Sequence, residues 1–146
     1  MNNTAAISCV VGTTDPAAAL GLEIWVDNLI LLDIDHVTDD SMPVTYDIND
    51  ADGEHELIFV LKHKTDKHTQ IDSQGNIIHD ARLTINNLKF NDMELGQLLH
   101  ELAVYTHDLN GTGAIVQDKF YSEMGCNGTV SIKFTTPIYQ WLLDNL

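Results

Sequence analysis

Residues Glu54–His63 constrain the fold more than any other stretch of the chain. Leu57, Phe59 and Leu61 alternate there with Ile58 and Val60, so both faces of the run are apolar, and it is too short for a typical buried helix. Such a run reads as a central strand covered on both sides. A second apolar run, Ala81–Phe90, follows a polar loop that carries His63, His68, Asp72, Gly75, His79 and Asp80. In Leu83-Thr84-Ile85 the apolar residues fall on odd positions, and in Leu88-Lys89-Phe90 on even ones. One extra residue at Asn86-Asn87 restores the register, which predicts a β-bulge. The two runs are expected to adjoin in the middle of a sheet.

The remaining segments are strand-like and short. Ile7–Val11 reads as an edge strand. In Leu22–Ile34 the apolar phase of Leu22, Ile24 and Val26, followed by Asp27-Asn28, predicts a hairpin with a two-residue turn, because Asp and Asn tolerate positive φ. Val44–Ile48 alternates as a strand. The acidic turn Asn49–Glu54 is no calcium loop of the EF-hand kind: with Gly53 in the sixth place, Ile48 and Phe59 stand where carboxylates belong. Asn91-Asp92 predicts a tight turn before Met93–Leu95. Gly96–Leu109 fits both a short helix, through Leu95, Leu98, Leu99 and Leu102, and a strand over Leu102–Thr106. Asn110–Gly113 is a turn, Ala114–Gln117 a short strand and Gly125–Gly128 another turn. Thr129–Phe134 is a strand with Val130, Ile132 and Phe134 on one face, and Pro137 opens a closing helical turn with Ile138, Trp141 and Leu142 on one side.

Short strands separated by Gly, Asn and Asp turns roughly every 8–12 residues predict an all-β fold, an antiparallel jelly-roll-like β-sandwich with at most one or two short helices. At 146 residues, 44% apolar and 20% charged, residues 1–146 suit a single domain with a real core, residues 1–20 forming an edge strand or arm. With 22 acidic and 7 basic side chains the net charge is −15. Such a surface repels phosphate backbones, which argues against nucleic acid as a direct partner; it suits solubility, or the binding of cations or a basic partner. No signal peptide or membrane-spanning segment is visible. Cys9 and Cys126, without a CxxC pair, read as two free thiols in a reducing compartment.

Chemistry is sparse. There is no phosphate-binding loop and no Gly-x-Ser-x-Gly elbow. Cys126, with a histidine, would be a nucleophile only in the least favoured reading. The loop offers metal-ligand types, and oxygen ligation of calcium by Asp72, Asp80 and loop carbonyls is the chemically sound version, the alternative being a solvated polar loop. Trp25, Trp141, Tyr46, Tyr105, Tyr121 and Tyr139 have rings able to stack on a sugar, and the two tryptophans are expected in the core.

Two resemblances follow from particular residues. Leu22–Asn28, Gly53–Leu57, Asp80–Leu88 and Asn91–Leu95, within residues 22–95, resemble the strand order of calcium-dependent xylan-binding modules. The resemblance implies a small jelly-roll sandwich that holds sugar hydroxyls through calcium. His63-Lys64 stands where those modules carry an Asn-Asp pair, and a lysine there opposes a cation. Asp66–Asp80 and Gly125–Leu143 resemble proteins of tailed phages that infect marine cyanobacteria, which implies a viral source and a virion component, and no reaction. The expectation is therefore a non-catalytic viral β-sandwich with a structural or attachment role, in a virion or in host cytoplasm during assembly. Its partners would be virion proteins or a host-surface glycan, with no membrane partner and a homo-oligomer left open. The alternative is a calcium-dependent carbohydrate-binding module whose sugar-contacting residues the sequence does not name.

Overall fold

The computed structural model describes residues 4–109, 111 and 113–145. The turn expected at Asn110–Gly113 therefore lies partly outside the described residues. The strands are β1 (Thr4–Thr13), β2 (Gly21–Val26), β3 (Leu29–Ile34), β4 (Met42–Asn49), β5 (Gly53–Lys62), β6 (Thr69–Ile71), β7 (Ile77–Asp80), β8 (Leu83–Phe90) and β9 (Met93–Glu94). Helix α1 (Gln97–Leu102) follows, then β10 (Val104–His107), β11 (Val116–Lys119), β12 (Glu123–Met124), β13 (Gly128–Thr136) and helix α2 (Ile138–Asn145).

The chain is an antiparallel β-sandwich. One sheet runs β12-β8-β1-β4, with β9 also pairing β8; the other runs β11-β10-β13-β5-β2-β3, and β6-β7 form a separate hairpin. One apolar cluster lies between the sheets, with Ile7, Val11, Ile85 and Phe90 from the first and Leu22, Leu57, Phe59, Val130 and Ile132 from the second.

Three expectations are corrected. The runs read as neighbours, β5 and β8, belong to opposite sheets: β5 pairs with β2 and β13, and β8 with β1, β9 and β12. Alternation tells which face of a strand is buried and is silent on which strand lies beside it. β5 is also covered on one side only, Leu57, Phe59 and Leu61 being buried and Ile58 and Val60 half-buried. Finally, β1 is an inner strand between β4 and β8, paired along both edges.

Local readings fare better. Asp27 and Asn28 have φ of 55° and 76°, and Val26 pairs with Leu29 across a two-residue hairpin turn. At the expected bulge, Asn87 has φ 55°, and the register against β1 shifts between Ser8 and Val10. Leu83, Ile85, Leu88 and Phe90 consequently all face the core. Both readings of 96–109 are realised in succession, α1 and then β10. Helix α2 buries Ile138, Trp141 and Leu142, and its Ile138 N–H donates to Asp50 Oδ1 at 2.7 Å.

Candidate functional site

The loop that the sequence singles out packs against one end of the sandwich. Along β5, odd residues point inward and Lys62 points out. Simple alternation would next aim His63 inward. His63 instead takes φ 72°, which reverses the phase: His63 is exposed and Lys64 is 4% exposed. The Lys64 ammonium donates to Asp80 Oδ1 at 2.5 Å and to the Gly125 carbonyl at 2.5 Å. Thr69 Oγ1 donates to the same Asp80 oxygen at 2.7 Å, and Arg82 Nε lies 3.7 Å from Asp80 Oδ2. The Asn127 side chain accepts from Lys64 N–H at 2.9 Å and donates to Lys64 C=O at 2.8 Å.

The residues expected as calcium ligands are not brought together. Thr69 pairs with Asp80 at the open end of the β6-β7 hairpin, whereas Asp72 sits at its tip, accepting from Gln74 and Asn76 N–H at 2.9 Å each. His79 turns to Asp15 Oδ2 at 3.0 Å, and His68 Nδ1 accepts from Thr65 N–H at 3.0 Å. Among the described residues no group of three or more His, Cys, Asp or Glu side chains is placed to hold a metal ion. Calcium requires six to eight oxygens, and here an ammonium and a hydroxyl proton already point at one Asp80 oxygen. This donor set does not fit a divalent ion.

Burial alone would raise the Asp80 carboxyl; hydrogen bonds from Lys64 and Thr69 and the nearby charges of Lys64 and Arg82 outweigh it and hold it below the usual carboxylate range. Asp15, bonded to His79, and Asp72, bonded to the Asn76 and Gln74 amides, are lowered as well. Because these folded-state values lie below the unfolded ones, the unfolded chain takes up protons first on acidification. Their stabilisation is complete above about pH 4 to 5 and is lost as pH falls through the lowered values. Urea midpoints measured from pH 5 down to pH 2 should therefore fall, and fall less steeply in Asp80→Asn. An unchanged slope in that variant would mean that Asp80 is not held by Lys64.

The outer face of the larger sheet carries the other feature. Strand registers align Lys119, Val104, Ser131, Ile58, Trp25 and Ile30 in one row across it. Beside it runs a second row, Gln117, Thr106, Thr129, Val60 and Glu23. The row from Val104 to Ile30, apolar except for Ser131, is about 19 Å long at the usual strand spacing. Trp25 is half-buried, and its indole N–H donates to Glu23 Oε1 at 2.8 Å. Glu23 is in turn held by Lys62, whose ammonium lies 3.0 Å from Glu23 Oε2 and 2.6 Å from Asp33 Oδ1. The expectation that Trp25 lies in the core is thus corrected, whereas Trp141 is buried as expected. The second row leads into a cleft of about 350 Å³ lined by Thr106, His107, Asp108, Ile115, Asn127 and Thr129, among others. Asn127 ties this cleft to the Lys64 cluster.

The opposite end of the sandwich has a smaller hollow of about 250 Å³, lined by Glu54, His55, Lys133, Phe134, Thr135 and Trp141. There His55 Nδ1 lies 2.5 Å from Asp27 Oδ2 and its Nε2 2.9 Å from Thr136 Oγ1. The order Asp-His-Thr resembles a nucleophile relay, but Thr136 is buried and its hydroxyl donates to the Ala51 carbonyl. The three side chains fasten the β2-β3 turn to the end of β13. Cys126 is equally unsuited to attack, since burial raises its thiol above the usual range.

The fold is similar to that of a solved carbohydrate-binding module, vCBM60, in complex with galactobiose. The TM-score is 0.52 and the identity 12%, over 87% of this chain and 96% of that one. A selenomethionine form of vCBM60, from work on circular permutation between two families of calcium-dependent carbohydrate-binding modules, gives 0.50 and 12% over 88% and 89%. No protein-family model matches the chain, and no curated protein matches it. At this identity the likeness bears on the fold.

Proposed function

We propose that residues 1–146 form a non-catalytic carbohydrate-binding module whose ligand lies across the outer face of the larger sheet, from Ile30 and Trp25 toward the Thr106–Thr129 cleft. The observation that carries this reading is the Trp25 ring, half-buried on the outer face of the sheet in a largely apolar row and fixed by Glu23 and Lys62. A sugar ring offers an apolar C–H face and a rim of hydroxyls. The row and the adjoining, mostly polar row match those two surfaces. The likeness to a galactobiose-binding sandwich supports the reading. A second copy of the chain, covering the same row, is the competing occupant.

A glycan array probed with wild type and Trp25→Ala tests it. Wild type should retain a class of neutral oligosaccharide, and Trp25→Ala should weaken retention at least about tenfold, on the order of 1.4 kcal/mol. Its melting temperature should fall less than that of the core variant Phe90→Ala, because the ring lies on the outer face of the sheet. Equal retention by both proteins would remove Trp25 from the site.

Calcium held by Asp72 and Asp80 is the version raised by the sequence, and the same array run with calcium and with EDTA separates the two. In a virion such a module would serve attachment to a host-surface glycan beside protein partners. That placement is supported by the resemblance of residues 66–80 and 125–143 to cyanophage proteins. No helix among the described residues is long and apolar enough to cross a membrane.

A further inference from the structure

We infer that the Lys64 ammonium is a built-in cation of the loop cluster, doing there the work of a bound divalent ion and fixing Asn127 in the cleft without metal. Three segments distant in sequence meet at this one group: the end of β5, Asp80 at the end of β7, and Gly125 just before β13. A loop-bound cation elsewhere gathers carboxylate and carbonyl oxygens from separate segments. The ammonium does the same, with the Lys64 side chain 1% exposed and the Asp80 side chain 16% exposed.

The backbone is shaped for it. The left-handed turn at His63 is what sends residue 64 inward where simple alternation would send residue 63. The same turn leaves His63 exposed, 3.6 Å from Asp35. A non-glycine residue in this region needs surroundings that hold it there. Here the Lys64 backbone is held on both sides, N–H and C=O, by the Asn127 amide. The same amide lines the cleft with Thr106, Asp108 and Thr129. Lys64 is therefore a positioning residue: the ammonium docks the β6-β7 hairpin on the β12-β13 connection, which carries Asn127, and the two amide bonds carry that placement to the Asn127 side chain.

A divalent ion at Asp80 Oδ1 would have to displace the ammonium, and one at Oδ2 would face Arg82 at 3.7 Å as well. The chain should thus differ from the calcium-dependent modules that share its fold. Only the sugar-binding arm of the test rests on the function proposed above, and the thermal arms contain no sugar.

The experiment compares wild type, Lys64→Met and Lys64→Met/Asp80→Leu by thermal unfolding, each with millimolar calcium chloride and with EDTA. Methionine keeps most of the apolar stem and removes the ammonium, both its charge and its N–H donors to Asp80 and the Gly125 carbonyl, so a role limited to packing of the stem would leave Lys64→Met near wild type. The expected result is a wild-type midpoint that calcium and EDTA move by less than about 1 °C, and a fall of about 10 °C in Lys64→Met, where the Asp80 carboxylate loses its partner in a largely buried site. The double variant should recover most of that fall, because the orphaned carboxylate is gone. For any sugar retained on the array, wild-type retention should be equal in calcium and EDTA and weaker in Lys64→Met. If Lys64→Met gives no soluble protein, the double variant decides: it folds if the ammonium's task is to neutralise Asp80, and its failure to fold overturns that assignment. An EDTA-reversible rise of the wild-type midpoint with calcium, or a Lys64→Met midpoint within about 2 °C of wild type, also overturns the inference.

Discussion

Phe90→Ala is expected to lower the thermal unfolding midpoint by roughly 10 °C or more. Phe90 on β8 is fully buried, with its ring 4.8 Å from Phe134 on β13 and 5.5 Å from Trp141 on α2. Phe134 and Trp141 are themselves 6.1 Å apart in an edge-on arrangement. These three rings join the two sheets and the closing helix at one point. Truncation removes transfer energy and both ring contacts, and leaves a cavity among inner strands that relax little. The cost is about 3–5 kcal/mol, against a total stability of about 5–15 kcal/mol for a domain. Differential scanning calorimetry reads the shift directly. A loss of under about 3 °C would mean that the rings do not tie the layers together.

Gly128→Ala should be nearly as costly for a different reason. Gly128 faces His107 across the β10-β13 register, and a Cβ there would lie 2.2 Å from the Thr106 carbonyl oxygen and 2.9 Å from His107 Cβ. Neither is the movable end of a long side chain. β10 would have to separate from β13, breaking ladder hydrogen bonds and opening the sheet edge that forms the cleft. The expected loss is on the order of 3 kcal/mol or more, seen as a lower urea midpoint, together with amide-exchange protection lost first in 104–107. Gly53→Ala is the control, because its nearest neighbour would be at 3.5 Å, an ordinary contact. Equal stability of the two variants would contradict the register described for β10.

Much of this architecture is written locally in the chain. Asp27-Asn28 announces its hairpin because few residues accept positive φ at two successive positions. The phase change between Ile85 and Leu88 announces the bulge at Asn87, because only an inserted residue lets both halves face one core. The phase of Leu22, Ile24 and Val26 also implied an outward Trp25. That local phase outweighs tryptophan's general preference for the interior.

Other features depend on contacts that the local pattern does not encode. β5 and β8 carry similar apolar runs, and only the pairing of β5 with β2 and β13 separates them into different sheets. The inner place of β1 is set by two partners more than thirty residues away along the chain. The inward turn of Lys64 depends on a single backbone angle at His63, in a loop whose charged composition reads as solvated. Asp80 lies near histidines in the sequence, yet its partners in the structure are Lys64, Thr69 and Arg82. The acidic residue types suggest calcium on Asp72 and Asp80, whereas the cation beside Asp80 in the structure is the Lys64 ammonium, 2.5 Å away.

The sugar face can be tested without knowing its preferred ligand in advance, because the protein has two tryptophans in contrasting places. In a ¹⁵N-labelled sample the indole N–H signals of Trp25 and Trp141 are titrated with galactobiose and with each oligosaccharide retained on the array. A Trp25 signal that moves in proportion to saturation while Trp141 stays fixed is the result expected of a ligand lying across the outer sheet. A saturable shift confined to Trp141, or binding that leaves both indoles unmoved, would place the ligand elsewhere and contradict the account.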